Sequence, residues 1–418
     1  MNSNSNNILV PKRILIVGGG FGGVRTALDL AKKNLPNTKI TLVSDSHHFV
    51  YTPTLYKLAT GAPPMETCIP LGDIFEHTDV ELLVDTIVSG STADKVLVGK
   101  SGSKYQYDFL VLALGAETTY YNIPGIAENS FTLKNVETTL RLKRHLHTLF
   151  KTARGLSKGA LISQFQFVVV GGGPAGVELA SVIREYARKL ATYHGVAKKY
   201  VTVDILQATP RLLPTMNEEV SRRVTQKLNI LGINIILGKP VTSEDASGVY
   251  LKDIKLNAKT IVWTAGVRAS HAYGTIIGLS LDKGGRILVD EHLQAINTQN
   301  VFAIGDSAST PHAGTAQTAN YDGAYVPHII ESIITHTTMM EYQPRETPYV
   351  VPLGKHWAVL TYKDIVLSGR IIRWLRELID LRFFLSILPA QKAFTIWRNG
   401  GKICESCPDC EKKENYCN

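Results

Sequence analysis

Two short stretches decide most of what this chain can fold into. The first is ILIVGGGFGG at 14–23, and VVVGGGPAG at 168–176 nearly repeats it. Each is a run of β-branched and aliphatic residues that stops at clustered glycines. Each is followed by a helix-like pattern, VRTALDLAKK in the first case and VELASVIREYARKL in the second. A buried parallel strand, a glycine turn and a helix N-terminus together make a pyrophosphate site. The first glycine bends the chain, the second lets phosphates approach the backbone, and the third lets the helix pack closely on the strand. Those roles fall to Gly18, Gly20 and Gly23, and again to Gly171, Gly173 and Gly176. One such loop can also close a βα unit that binds nothing. Two, each in the required strand–turn–helix context, point to two dinucleotides, each with its own domain.

The expected fold is therefore α/β, with two Rossmann-like dinucleotide-binding domains. A length of 418 residues suits two such domains and an appendage. Strand signals return after the second glycine unit, at RILVD and VFAIGD, so the first domain resumes there. The resulting division is 8–155 and 276–345 for the first nucleotide domain and 156–275 for the inserted second. A C-terminal region spans 346–403 and a Cys-rich tail 404–418. The start, MNSNSNNILVPKR, lacks a basic stretch leading into an apolar one, so no secretion signal is expected. No run of 18 apolar residues occurs, which argues against a membrane-spanning helix. The net charge of +9 favours anionic surfaces, but no zinc-finger or RNA-binding signature makes nucleic acid a partner.

Cysteine placement narrows the chemistry. Cys68 is the only cysteine before residue 404, so the body of the chain has no pair to form a redox dithiol. Disulfide reduction and sulfide oxidation are both disfavoured, and hydride should pass through a flavin to another acceptor.

With the segments GGGFGG, HHFVYTPTLYKLATG, VGGGPAGVELA, IVWTAGV, VFAIGDSA and TAQTANYDGAY in view, the chain resembles the type II NADH dehydrogenases. These are single-chain flavoproteins that pass electrons from NADH to a membrane quinone without pumping protons. The resemblance runs from about residue 12 to 330. It assigns FAD to the first loop, with Asp306 at the ribitol and Gly305 allowing the backbone to approach the pyrophosphate. A carboxylate ending the second strand should hold the adenosine ribose. Register puts Ser44 at that position and Asp45 next to it, and Asp45 is preferred with Ser44 as helper. The second loop is assigned to NADH, with Glu178 near the nicotinamide and flavin rings, where it positions the ring or passes protons. Glu178 also reads simply as a helix-start residue that suits the dipole. Where the family usually shows glutamate, this chain has Gln207, an amide that still bonds the ribose hydroxyl but does not repel a 2′-phosphate. NADPH should accordingly be accepted to some degree. The acceptor side is read from Gln317, with Tyr321 where the family has a second glutamine. Tyr321 reads either as a quinone contact or as packing. The wider set of cofactor-binding positions takes in Phe21, Gly22, Ala113, Gly115, Pro174, Ala265, Gly266 and Ala316.

The segment RIIRWLRELIDLRFFLSIL at 370–388 is amphipathic. Arg370, Arg373, Glu377 and Asp380 share one face, and Ile371, Trp374, Leu375, Leu378, Leu381, Leu385 and Leu388 the other. Residues 370–402 hold seven basic and two acidic side chains, a combination suited to lying on an anionic bilayer. On that reading the segment is an anchor separable from the catalytic body. The alternative is a helix packed on the protein or across a homodimer. Cys404, Cys407, Cys410 and Cys417 could supply four thiolates to a zinc or iron–sulfur site, although their spacing matches no usual pattern, and a reduced thiol tail is equally open.

The expected activity is FAD-dependent NAD(P)H:quinone oxidoreduction by a peripheral protein. Its place would be the cytoplasmic face of the cell membrane or a matrix-type face of an organelle. A soluble reductase for a small iron–sulfur protein and a redox-sensing flavoprotein are the other readings.

Overall fold

In a computed structural model that describes residues 10–400, each glycine loop leaves the middle strand of its own five-stranded parallel sheet. The chain forms two compact units. The first comprises the chain up to Phe49, Ile69–Glu117 and Arg268–Thr347; the second comprises Val50–Cys68, Thr118–Val267 and the chain from Pro348 on. Residues 118–155, grouped by sequence with the first nucleotide domain, lie in the second unit, as does the short excursion 50–68.

In the first unit the strand order is Val301–Ala303, Phe109–Leu112, Lys12–Val17, Thr38–Ser44 and Glu81–Val84. Every neighbouring pair is parallel. Ile14 to Val17 and Phe109 to Leu112 are buried without alternation, the pattern of strands covered on both faces. The helix Phe21–Lys33 turns Val24, Ala27, Leu28 and Leu30 inward. It ends with Lys32 and Lys33 in its last turn and Asn34 in the left-handed region, which suits the negative end of the helix dipole and closes the backbone.

The second unit repeats the plan. Its parallel order is Phe131–Thr132, Thr260–Trp263, Gln166–Val170, Thr202–Gln207 and Asn234–Leu237. The helix Pro174–Tyr193 follows the glycine loop, with proline at its first position, where no N–H is needed. This unit also carries an antiparallel sheet of Tyr349–Leu353, Trp357–Tyr362 and Ile365–Gly369. Two helices follow it, Arg370–Ile387 and Ala390–Gly400, separated at Pro389. No helix among the described residues is long and apolar enough to cross a membrane. The four tail cysteines lie outside the described residues.

Candidate functional site

The two glycine loops share one geometry. Gly18 and Gly171 both adopt φ +114°, which L side chains rarely reach. A Cβ on Gly18 would sit 2.2 Å from the Ala113 carbonyl oxygen, and one on Gly171 would sit 2.8 Å from the Ala265 Cα. A Cβ on Gly23 would fall 1.9 Å from the Gly18 oxygen, and one on Gly176 1.8 Å from the Gly171 oxygen. Beside Gly20 and Gly173, in contrast, nothing lies within 4 Å. These two open glycines are the N-caps of their helices. Neither helix has a side-chain cap or an acidic residue in its first turn. The leading N–H groups and the positive end of each dipole therefore face space that an anion can fill. Both loops fit a dinucleotide pyrophosphate.

The middle glycine of each triplet reveals the matching strand ends. A Cβ on Gly19 would meet the Ser44 Oγ at 2.4 Å, and one on Gly172 would meet the Gln207 Cβ at 3.1 Å. Ser44 and Gln207 are thus equivalent positions in the two units. Ser44 is buried, while Asp45 is exposed just past the strand. Gln207 is held at both ends of its amide. Its Oε1 accepts from the Gly172 N–H at 2.7 Å, and its Nε2 donates to the Thr209 Oγ1 at 2.6 Å. Sequence reasoning placed Gln207 at the ribose but missed its role as a brace for the loop.

In the first unit Gly115 donates its N–H to the Ser307 Oγ at 3.2 Å, and Leu114 donates to the Tyr273 hydroxyl at 2.9 Å. The loop after strand Phe109–Leu112 is thereby tied to the turn Gly305–Ser307, which carries the partly exposed Asp306. Phe21 packs edge-on against Phe49 at 5.0 Å between ring centres. Ala316 opens the helix Ala316–Thr335, and Gln317 is exposed in its first turn. Tyr321 donates its hydroxyl to the Gln343 carbonyl at 3.2 Å, and the Arg345 guanidinium lies 4.8 Å over its ring. That ring face is taken by a cation of the same chain.

In the second unit Glu178 corrects one expectation. With Pro174 as the first helical residue, Glu178 stands beyond the first turn, not at the helix start. Removal from water pushes its carboxyl up to about 8; Asp380 reinforces this while Arg376, Arg373 and Lys57 oppose it. These neighbours belong to a buried ionic cluster invisible in local sequence. Lys57 Nζ lies 2.8 Å from Glu66, 3.8 Å from Glu377 and 3.9 Å from Asp380. Asp380 also accepts from the Tyr51 hydroxyl and pairs with Arg376, and Arg373 pairs with Glu377 at 2.5 Å. The three carboxylates bring oxygens within 4.8 Å of one another, close enough to hold a metal ion. The Lys57 ammonium, however, already supplies a positive charge to all three. Tyr51 and Lys57 both lie in the HHFVYTPTLYKLATG segment, so the signal was present but its partners lie some 320 residues away.

The cluster also orients the C-terminal helix. The sequence left open which face meets the protein, and the side chains of Asp380 and Arg376 are only 1% and 11% exposed. The apolar face looks largely outward, with Ile371 79% and Trp374 62% exposed. Leu375, Leu385 and Phe394 are exposed too, as are Ile365 and Leu367 on the preceding strand.

Two glycine-led nucleotide cradles of matching geometry define the class: the chain belongs to the pyridine nucleotide-disulphide oxidoreductase family, whose profile matches residues 12–323. Within it, the chain groups with the type II NADH:quinone oxidoreductases. It is 30% identical over 354 residues to the enzyme of that name from Mycobacterium tuberculosis, covering 79% of this chain and 75% of the relative. With the Staphylococcus haemolyticus enzyme it shares 26% over 391 residues, or 90% and 96% of the two chains. In fold it is similar to NDH2 from Plasmodium falciparum, solved in complex with NADH, with a TM-score of 0.83 at 18% identity over 93% of this chain and 97% of that one. A sulfide:quinone oxidoreductase from Aquifex aeolicus gives 0.77 at 19% identity, over 96% and 94%.

Proposed function

We propose that the protein oxidises NADH with bound FAD and delivers two electrons to a quinone at a membrane surface. The observation that carries this reading is the pair of uncapped, glycine-led helices, one in each unit. The first unit would hold FAD through Gly18, Gly20, Gly22, Gly23, Ser44, Asp45 and Asp306, and the second NAD(P)H through Gly171, Gly173, Gly176 and Gln207. When bound, the flavin takes a hydride from NADH and releases its electrons to the acceptor.

The chain's own residues supply binding, orientation and protons. Glu178, whose carboxyl removal from water pushes up to about 8, can give a proton where a quinone oxygen becomes a hydroxyl. Gln317, exposed at its helix start, is the acceptor-side contact, while Tyr321 steadies the segment behind it through Gln343 and Arg345. Membrane attachment is supported by the outward apolar face of Arg370–Ile387, on the side of the bilayer that holds NADH. Contiguous exposed apolar surface on a folded protein marks an interaction site.

The test is steady-state oxidation of NADH by the FAD-loaded protein with a short-chain quinone, together with flotation on liposomes. Turnover that requires a quinone, in a protein that floats, is expected. Reduction of small iron–sulfur proteins in preference to quinone would overturn the acceptor assignment. Failure to float, with a mass of twice the chain, would give the apolar face to a homodimer.

A further inference from the structure

The turn that carries Asp306 is braced from behind by a buried carboxylate. Gly305 is buried at φ +63°, and a Cβ there would meet the Ala319 Cβ at 2.9 Å. Its N–H donates to the Asp322 Oδ2 at 2.8 Å. Asp322 lies on the helix Ala316–Thr335 and has no exposure to solvent. Its other oxygen accepts from the Tyr342 hydroxyl at 2.6 Å, and Tyr342 is anchored by donating its own N–H to the Glu291 carbonyl at 2.7 Å.

Both donors to Asp322 are neutral, and burial lifts its carboxyl above the usual range while they oppose the rise. A buried carboxylate held by neutral donors is a costly way to fill space. Leucine would branch in the same way without charge, but it could not accept the Gly305 N–H. The same helix also sets the first glycine loop. Thr26 donates to the Gly22 carbonyl at 2.9 Å and to the Gly323 carbonyl at 3.1 Å, and a Cβ on Gly323 would come within 2.5 Å of the Gly22 oxygen. One helix therefore indexes both the phosphate loop and the Asp306 turn.

We propose that Asp322 is a positioning residue: fixed by Tyr342, it holds the Gly305 amide and so sets where Asp306 meets the ribityl chain of the flavin. This rests on the reading of that turn as a flavin contact.

The experiment follows FAD release from the holoprotein by the recovery of free-flavin fluorescence. The visible circular dichroism of the bound flavin is recorded alongside, and NADH binding serves as a control. Asp322→Leu should weaken FAD binding roughly tenfold or more, the scale of one lost hydrogen bond to a charged group, and should alter the flavin dichroism. Asp322→Asn should rescue binding, because its amide can accept from Gly305 and donate to the Tyr342 oxygen. Tyr342→Phe should fall between the two. NADH binding should be unchanged throughout, which a general loss of structure would not allow. Wild-type FAD retention in Asp322→Leu, or equal loss in Asp322→Asn, overturns the proposal. Should Asp322→Leu fail to fold, the other two variants decide: Tyr342→Phe must bind FAD more weakly than Asp322→Asn. Asp306→Ala with undiminished FAD binding would instead refute the flavin reading of the turn.

Discussion

Replacing Asp380 by alanine should be among the most damaging single changes in the second unit. The side chain is 1% exposed, and it serves Tyr51, Arg376 and Lys57 together. The cluster holds three cations, Lys57, Arg373 and Arg376, against the carboxylates of Glu66, Glu377 and Asp380. Removing Asp380 leaves one positive charge without a counterion in a largely buried site. Breaking a buried ion pair from one side costs about 3–5 kcal/mol, mostly from the charge left behind. For a unit of this size each kcal/mol moves the melting midpoint by roughly 2–4 °C, so a fall of about 6–20 °C is expected in calorimetry. The double variant Lys57→Met, Asp380→Leu restores charge balance. It should be less destabilised than the two single changes together by at least about 1 kcal/mol. A loss below about 1 kcal/mol in Asp380→Ala, or strict additivity in the double variant, would refute the reasoning, because either result requires water to reach the cluster. Truncation before Arg370 should be more damaging still, since it leaves Lys57 and Glu66 without Glu377 and Asp380.

Three further outcomes are expected. Ile371→Ser with Trp374→Ser should lower partition onto liposomes at least about tenfold, since each buried apolar side chain is worth about 1.5–3 kcal/mol. The wild type should stay bound as salt is raised, because Arg373 and Arg376 are turned inward; release at high salt would contradict attachment through the apolar face. Wild-type protein should turn over NADPH, and Gln207→Glu should reduce kcat/KM for NADPH roughly tenfold relative to NADH in steady-state assays. Finally, Glu178 and Glu244 carry folded-state carboxyls raised by desolvation to about 8 and about 7, so the folded protein holds more protons than the unfolded chain above the normal carboxylate range. Stability should therefore fall between about pH 5 and 8 on their account, and Glu178→Gln should flatten that slope in urea titrations.

Both nucleotide loops were legible because their glycines answer a backbone demand that no other residue meets. Gly18 and Gly171 need φ +114°, and Gly23 and Gly176 need to lack a Cβ, so the pattern survives in sequence. The strand ends were legible in position only. Gln207 could be placed at the ribose, but its grip on the Gly172 amide depends on side-chain rotamers. The C-terminal helix was legible as amphipathic, yet periodicity names two faces without saying which one meets the protein. That choice was made by Lys57, Tyr51 and Glu66, residues brought to Asp380 and Glu377 only by the fold. Asp322 stayed hidden for the same reason: nothing in TAQTANYDGAY announces that Gly305 needs an acceptor behind it.

The outward apolar face of the C-terminal helix is held in place by ionic pairs on the opposite side of the same helix. Of the seven basic residues between 370 and 402, Arg373 and Arg376 are spent internally. The local charge inventory therefore overstates what a headgroup would meet there. On the proposed membrane reading, attachment would be constitutive, and the rate at which the protein works would be governed by the supply of its nucleotide and its acceptor, not by its address.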